Sequence, residues 1–140
     1  MASSRQPGSP RLLLAIADIP SRADAMSLVA SVAHGGFRML LTGDLDDPDL
    51  IAGEDLRAEL LKSPHHGSLR GNQQELYERV KPVYVLVMGR YPTPARLEPR
   101  FAGAEVSYIN TRVDGAVMLR FGKGRPAIQR FFRRLPLPGE

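Results

Sequence analysis

The chain has 140 residues, 43% of them hydrophobic and 24% charged, a balance ordinary for one globular domain with a modest core. It has no cysteine, which excludes disulfides and thiolate metal sites, so any metal must be held by Asp, Glu or the three histidines His34, His65 and His66. The net charge of +4 reflects a basic late segment containing Arg112, Arg120, Lys123, Arg125, Arg130, Arg133 and Arg134; this suits a nucleic-acid partner, and equally an Arg-rich face in solvent.

The opening MASSRQPGSP is polar and rich in Ser and Pro, so residues 1–11 are expected to be a disordered leader. It lacks the apolar core of a signal peptide, and no run of about 18 apolar residues follows. The expectation is a soluble, cytoplasmic protein without a transmembrane segment. Residues 12–17 (LLLAIA) read as a short strand. Residues 27–34 (SLVASVAH) and 37–43 (FRMLLTG) flank Gly35-Gly36, a two-residue hairpin signal.

A loop crowded with acids, LDDPDLIAG, comes next. Residues 53–61 (GEDLRAELL) read as a helix or helical turn, since Leu56, Leu60 and Leu61 fall at helical spacing. Pro64 keeps that helix from running into His65-His66. Residues 72–81 (NQQELYERVK) predict an amphipathic helix with Leu76 and Val80 on one face and Asn72 as N-cap. Pro82 stops it, and residues 83–89 (VYVLVMG) are the clearest buried strand. The Pro-rich stretch 91–101 has room for a short helix only. Strands are then expected over Glu105–Asn110, Ala116–Phe121 and Ala127–Phe132 as an antiparallel meander, with turns at Asp114-Gly115 and Gly122–Gly124. The domain thus covers residues 12–132 and the tail 133–140 is flexible. The class is α/β, a mixed sheet with helices on one face.

Two motifs can carry chemistry. Leu41-Thr42-Gly43-Asp44 is a buried strand ending in Gly and then Asp. A carboxylate held there by rigid backbone can bridge two divalent cations, although Gly-Asp after a strand is more often a simple turn. His65-His66-Gly67-Ser68 offers two adjacent imidazoles suited to metal binding, acid–base work or phosphate contact, although an isolated His-His pair is more often structural. His34 is assigned to the hairpin turn.

The two motifs together, in the segment SLVASVAHGGFRMLLTGDLDDPDLIAGEDLRAELLKSPHHGS from Ser27 to Ser68, resemble the ComEC-type competence proteins, whose soluble domain has the metallo-β-lactamase fold. Leu60 to Ser68 (LLKSPHHGS) matches the last element of that pattern, and Lys81–Val85 and Thr111–Ala116 are similar to later strands. The resemblance runs from about Ala17 to Phe121, with Asp24 and Ser27 at the places of the family's Asn and Ser. It implies the C-terminal half of a metallo-β-lactamase αββα sandwich. Asp44 would be the metal-bridging carboxylate and one of His65 and His66 a ligand, with Gly43, Gly67 and Ser68 shaping the site. The implied metal is zinc or manganese, and the implied chemistry is phosphodiester hydrolysis in DNA uptake.

The family's His-x-His-x-Asp-His signature is absent, and its Tyr-Gly-His-Pro is replaced near Gly89-Arg90-Tyr91-Pro92. An aspartate and two neighbouring imidazoles cannot fully coordinate a pair of zinc ions, so the isolated chain is not expected to retain metal. The expectation is a partial hydrolase domain, inactive alone or completed by a partner; the alternative is a non-catalytic nucleic-acid or protein binding module. An uncovered sheet face predicts a partner chain or self-association, since burying several hundred Å² of apolar surface is worth on the order of 10 kcal/mol.

Overall fold

The computed structural model describes residues 11–17, 27–51, 55–88, 105–121 and 125–131. Asp24, Glu54, the stretch 89–104, the Gly122–Gly124 turn and the tail 133–140 lie outside the described residues, as does all of the leader except Arg11. In chain order the elements are β1 (Arg11–Ala17), β2 (Ser27–His34), β3 (Phe37–Leu41), a 3-10 turn (Pro48–Ile51), β4 (Leu60–Lys62), a second 3-10 turn (Pro64–Gly67), α1 (Gln74–Val80), β5 (Tyr84–Val87), β6 (Ser107–Asn110), the single helical turn α2 (Thr111–Asp114), β7 (Ala116–Arg120) and β8 (Ala127–Phe131).

Strands β1 to β6 form one mixed sheet in sequential order. The first three pair antiparallel, with Gly35 (φ +55) and Gly36 (φ +83) making the tight connection of β2 to β3. From β3 onward the pairing is parallel, β3 to β4 to β5 to β6. The chain is therefore a mixed α/β structure with few helices among the described residues.

The hydrophobic core lies on one face of the sheet. Val29, Leu40, Leu61, Val85 and Val87 point from the strands against Leu76, Tyr77 and Val80 of α1, with Leu45, Ile51, Leu56 and Ala58 filling the gap from the loops. Strand alternation sends Leu28, Phe37, Leu41, Leu60 and Ile109 to the opposite face. There Leu60 and Ile109 are buried, and Phe37 meets the ring of Phe121 at 5.9 Å. Leu28 and Leu41 stay exposed, at 54% and 37%.

Three sequence expectations are corrected. The helix expected over 53–61 is not formed in its described part: 55–59 has no regular secondary structure and Leu60–Lys62 is a strand. The backbone there pairs with other elements. Ala58 N–H donates to Val80 O, Glu59 N–H to Arg38 O, and Glu59 O accepts from Val83 and Tyr84. Arg38 fastens the segment by donating to Asp55 at 2.8 Å and to Arg57 O at 3.1 Å, and the guanidinium holds the exposed Asp55 carboxyl below its ordinary range. The burial of Leu56 and Ala58 two apart is a strand rhythm that the leucine spacing had masked.

Asn72 is not the cap of α1, which begins after Gln73 without a side-chain cap. Asn72 is instead fully buried and bonded to the histidine loop. Finally, β6 joins the large sheet parallel to β5, so the expected meander reduces to the antiparallel hairpin of β7 and β8. The turn α2, whose Asn110 cap accepts from Arg112 N–H at 2.9 Å, separates the two sheets.

Leu61 is fully buried between β3 and β5 on the core face. Leu61→Ala is expected to lower stability by about 3 kcal/mol, and Leu41→Ala on the opposite face by less than about 1 kcal/mol. Urea unfolding midpoints of the two variants check the difference.

Candidate functional site

Parallel pairing brings the C-terminal ends of β3, β4 and β5 to one edge of the sheet, which is where parallel sheets present their loops for chemistry. After β3, Thr42 is fully buried and its hydroxyl donates to Lys62 O at 2.7 Å. The chain turns at Gly43, whose φ is +56. A Cβ at this position would lie 2.4 Å from Ser27 Oγ and 3.0 Å from Leu28 O. Because none is there, Ser27 Oγ reaches the turn, accepting from Asp44 N–H at 2.8 Å and donating to Thr42 O at 3.3 Å. Asp44 is thus pinned through its backbone while its carboxylate stays exposed.

After β4 the chain makes an uncommon double left-handed turn. His65 (φ 43, ψ 54) and His66 (φ 53, ψ 26) both have positive φ, a conformation that costs roughly 1–2 kcal/mol per side-chain-bearing residue. Neighbouring bonds hold it. His65 N–H donates to Gly43 O at 3.1 Å, Ser68 N–H donates to His65 O at 2.8 Å, and Gly67 takes φ 89 to leave the turn. The buried Asn72 amide donates to Pro64 O at 3.0 Å and Ser68 O at 2.6 Å, while its oxygen accepts from Ser63 Oγ at 2.6 Å and from the Tyr77 hydroxyl. Backbone strain fixed this firmly by its surroundings gathers at working sites.

The outcome is two carboxylate–imidazole pairs. His66 Nε2 lies 3.5 Å from Asp44 Oδ1, and its Nδ1–H donates to Met88 O, beyond β5, at 2.8 Å. His65 Nδ1 lies 2.7 Å from Asp46 Oδ1. The imidazole centroids are 6.3 Å apart. Beneath them Lys62 Nζ donates to Gly43 O at 2.6 Å. Burial pushes the Lys62 pKa down, and the nearby Asp44 charge opposes the shift. A lowered lysine pKa means the folded chain sheds this proton before the unfolded chain does, so burying Lys62 costs most at low pH and the cost fades as pH rises through that window.

Asp44, His65, His66, Gly43, Gly67, Ser68 and Ser27 therefore share one edge of the sheet. His34 sits apart, at the far end of β2, edge-on to Phe121 at 5.2 Å. Asp46, Lys62 and Asn72 escaped the sequence reading. The crowding of acids after Gly43 was a signal for Asp46, and the lysine inside LLKSPHHGS was one for Lys62. Asn72 gave none, because Asn before a helix reads as a cap.

Among the described residues, no group of three or more His, Asp or Glu side chains is arranged to hold a metal ion. Asp44 and His66 stand side by side, with His66 Nε2 3.5 Å from Asp44 Oδ1. They fit part of a metal shell and leave it incomplete, since zinc takes three or four protein ligands.

No family model matches the chain. A relative is the competence protein ComA of Neisseria gonorrhoeae, 30% identical over 115 aligned residues, a match that covers 74% of this chain. The chain spans about a sixth of that protein's length, 16%.

Gly43→Ala is expected to destabilise the chain by about 2–4 kcal/mol, combining left-handed strain with the clash at Ser27. Gly35→Ala, equally left-handed but in open space, should cost only about 1–2 kcal/mol. Thermal melts of the pair separate close approach from backbone conformation.

Proposed function

Proceeding from this chain's relationship to a competence protein, we propose that it forms part of a metal-dependent phosphodiester hydrolase serving DNA uptake, built as the C-terminal half of a metallo-β-lactamase fold. Asp44 and His66 side by side at the ends of two adjacent strands are the observation that carries the reading. Asp44 would hold the metal through its carboxylate and His66 through the imidazole that lies beside it, with His65 as the neighbouring donor. A bound zinc or manganese ion supplies Lewis-acid activation of water and of the phosphodiester. The chain's own contribution is placement: Ser27 and Gly43 set the Asp44 turn, Met88 O orients His66, and Asn72 holds the histidine loop.

The remaining ligands come from a segment carrying His-x-His-x-Asp-His, which this sequence lacks. That segment would also cover the exposed Leu28 and Leu41. A second reading, a metal-independent nucleic-acid binding module, is favoured by the exposed arginines Arg120 and Arg125 around the β7–β8 hairpin and predicts steep salt dependence of DNA binding.

The test mixes the chain with a polypeptide bearing the histidine signature and measures bound zinc and cleavage of a phosphodiester such as bis(p-nitrophenyl) phosphate. Zinc retention and turnover are expected in the mixture and not in the isolated chain. Asp44→Ala should reduce turnover by more than the roughly 100-fold seen for loss of a residue behind a ligand. Equal turnover by the Asp44→Ala mixture, or a mixture that takes up no zinc, would contradict the assignment.

A further inference from the structure

The hydrolase reading uses Asp44 and leaves Asp46 without a role. Asp46 is held as firmly as its neighbour. It follows Leu45, which is 1% exposed and donates its N–H to Thr42 O at 3.1 Å. Leu45 O lies where a Cβ on Gly71 would come within 2.2 Å, so the Leu45 carbonyl fits against a backbone that must lack a side chain. The Asp46 side chain is only 26% exposed, while His65, its partner at 2.7 Å, is 41% exposed. Both halves of the pair therefore stand on fixed backbone, Asp46 through Leu45 and Gly71, His65 through Gly43, Ser68 and Asn72.

We propose that Asp46 is a positioning residue for His65. A carboxylate can only accept, so the neutral imidazole facing it carries its proton on Nδ1 and leaves the Nε2 lone pair free. Met88 O imposes the same arrangement on His66 through its Nδ1. The edge thus presents two imidazoles each tied at Nδ1, one backed by a carboxylate and the other by a backbone carbonyl, and the Nε2 of His66 stands 3.5 Å from Asp44 Oδ1. A carboxylate behind an imidazole fixes its ring plane and raises its basicity as a donor. In the hydrolase reading, on which this last role rests, His65 is the imidazole oriented by a carboxylate and His66 the one placed beside Asp44.

Long-range 1H–15N correlation spectra of the metal-free full chain, recorded at alkaline pH, report the tautomer of each histidine. The expected result is a protonated Nδ1 and a bare Nε2 at both His65 and His66. Asp46→Ala should lose the Nδ1–H form at His65 and leave His66 unchanged. Asp46→Asn, which keeps an oxygen acceptor, should restore it. Should Asp46→Ala fail to fold, the tautomer of His65 in the wild type keeps the proposal falsifiable. A protonated Nε2 at His65 in the wild type, or an unchanged tautomer in Asp46→Ala, overturns the proposal. No metal or substrate is present, so this outcome is separate from whether the hydrolase reading holds.

Discussion

The carbonyl oxygen of Gly43 joins the two loops on which the candidate site rests. It accepts the His65 amide at 3.1 Å and the Lys62 ammonium at 2.6 Å, so the turn after β3 and the turn after β4 cannot move independently. The carbonyl is available because Gly43 bends the chain into the left-handed region, where a side chain would collide with Ser27. Lys62 completes a reciprocal clamp, since its own carbonyl accepts from Thr42. Each of these is a short-range bond, yet together they decide which carboxylate meets which imidazole.

Asn72 does for the far side of the histidine loop what Gly43 does for the near side. Its buried amide satisfies Pro64 O and Ser68 O, and its oxygen takes the hydroxyls of Ser63 and Tyr77. A buried polar network is tolerated only when its members are satisfied. Here the network also connects α1, through Tyr77, to the loop that holds two histidines at unfavourable φ. The helix and the core that seats it thereby stabilise the strained turn, which links packing to the geometry of the site.

Much of this was legible in the chain. Gly35-Gly36 between two apolar runs announced the β2–β3 hairpin, and VYVLVMG announced β5. The resemblance carried by LLTGD and LLKSPHHGS implied that Asp44 and one of the two histidines share a site. The segment 55–61 misled because leucines at helical spacing hide the alternation of Leu56 and Ala58, and the bonds that hold it out of a helix come from Arg38 and Val80, distant in sequence. The parallel entry of β6 was hidden for a similar reason: alternation in a strand shows which face is buried and not which neighbour it chooses. Asp46 was one acid among several in a polar loop, and only the fold singles it out by setting it against His65.

The functional account reduces to the claim that Asp44 and His66 face a common cation. Paramagnetic broadening of the 15N-labelled chain by dilute Mn2+ tests this most directly, since even a weak, incomplete shell marks its nearest groups. The account predicts that signals of Asp44 and His66 fade together at the lowest Mn2+ concentrations while those of β7 and β8 persist. Fading centred on Asp47 and Asp49, or on one member of the pair without the other, would contradict it.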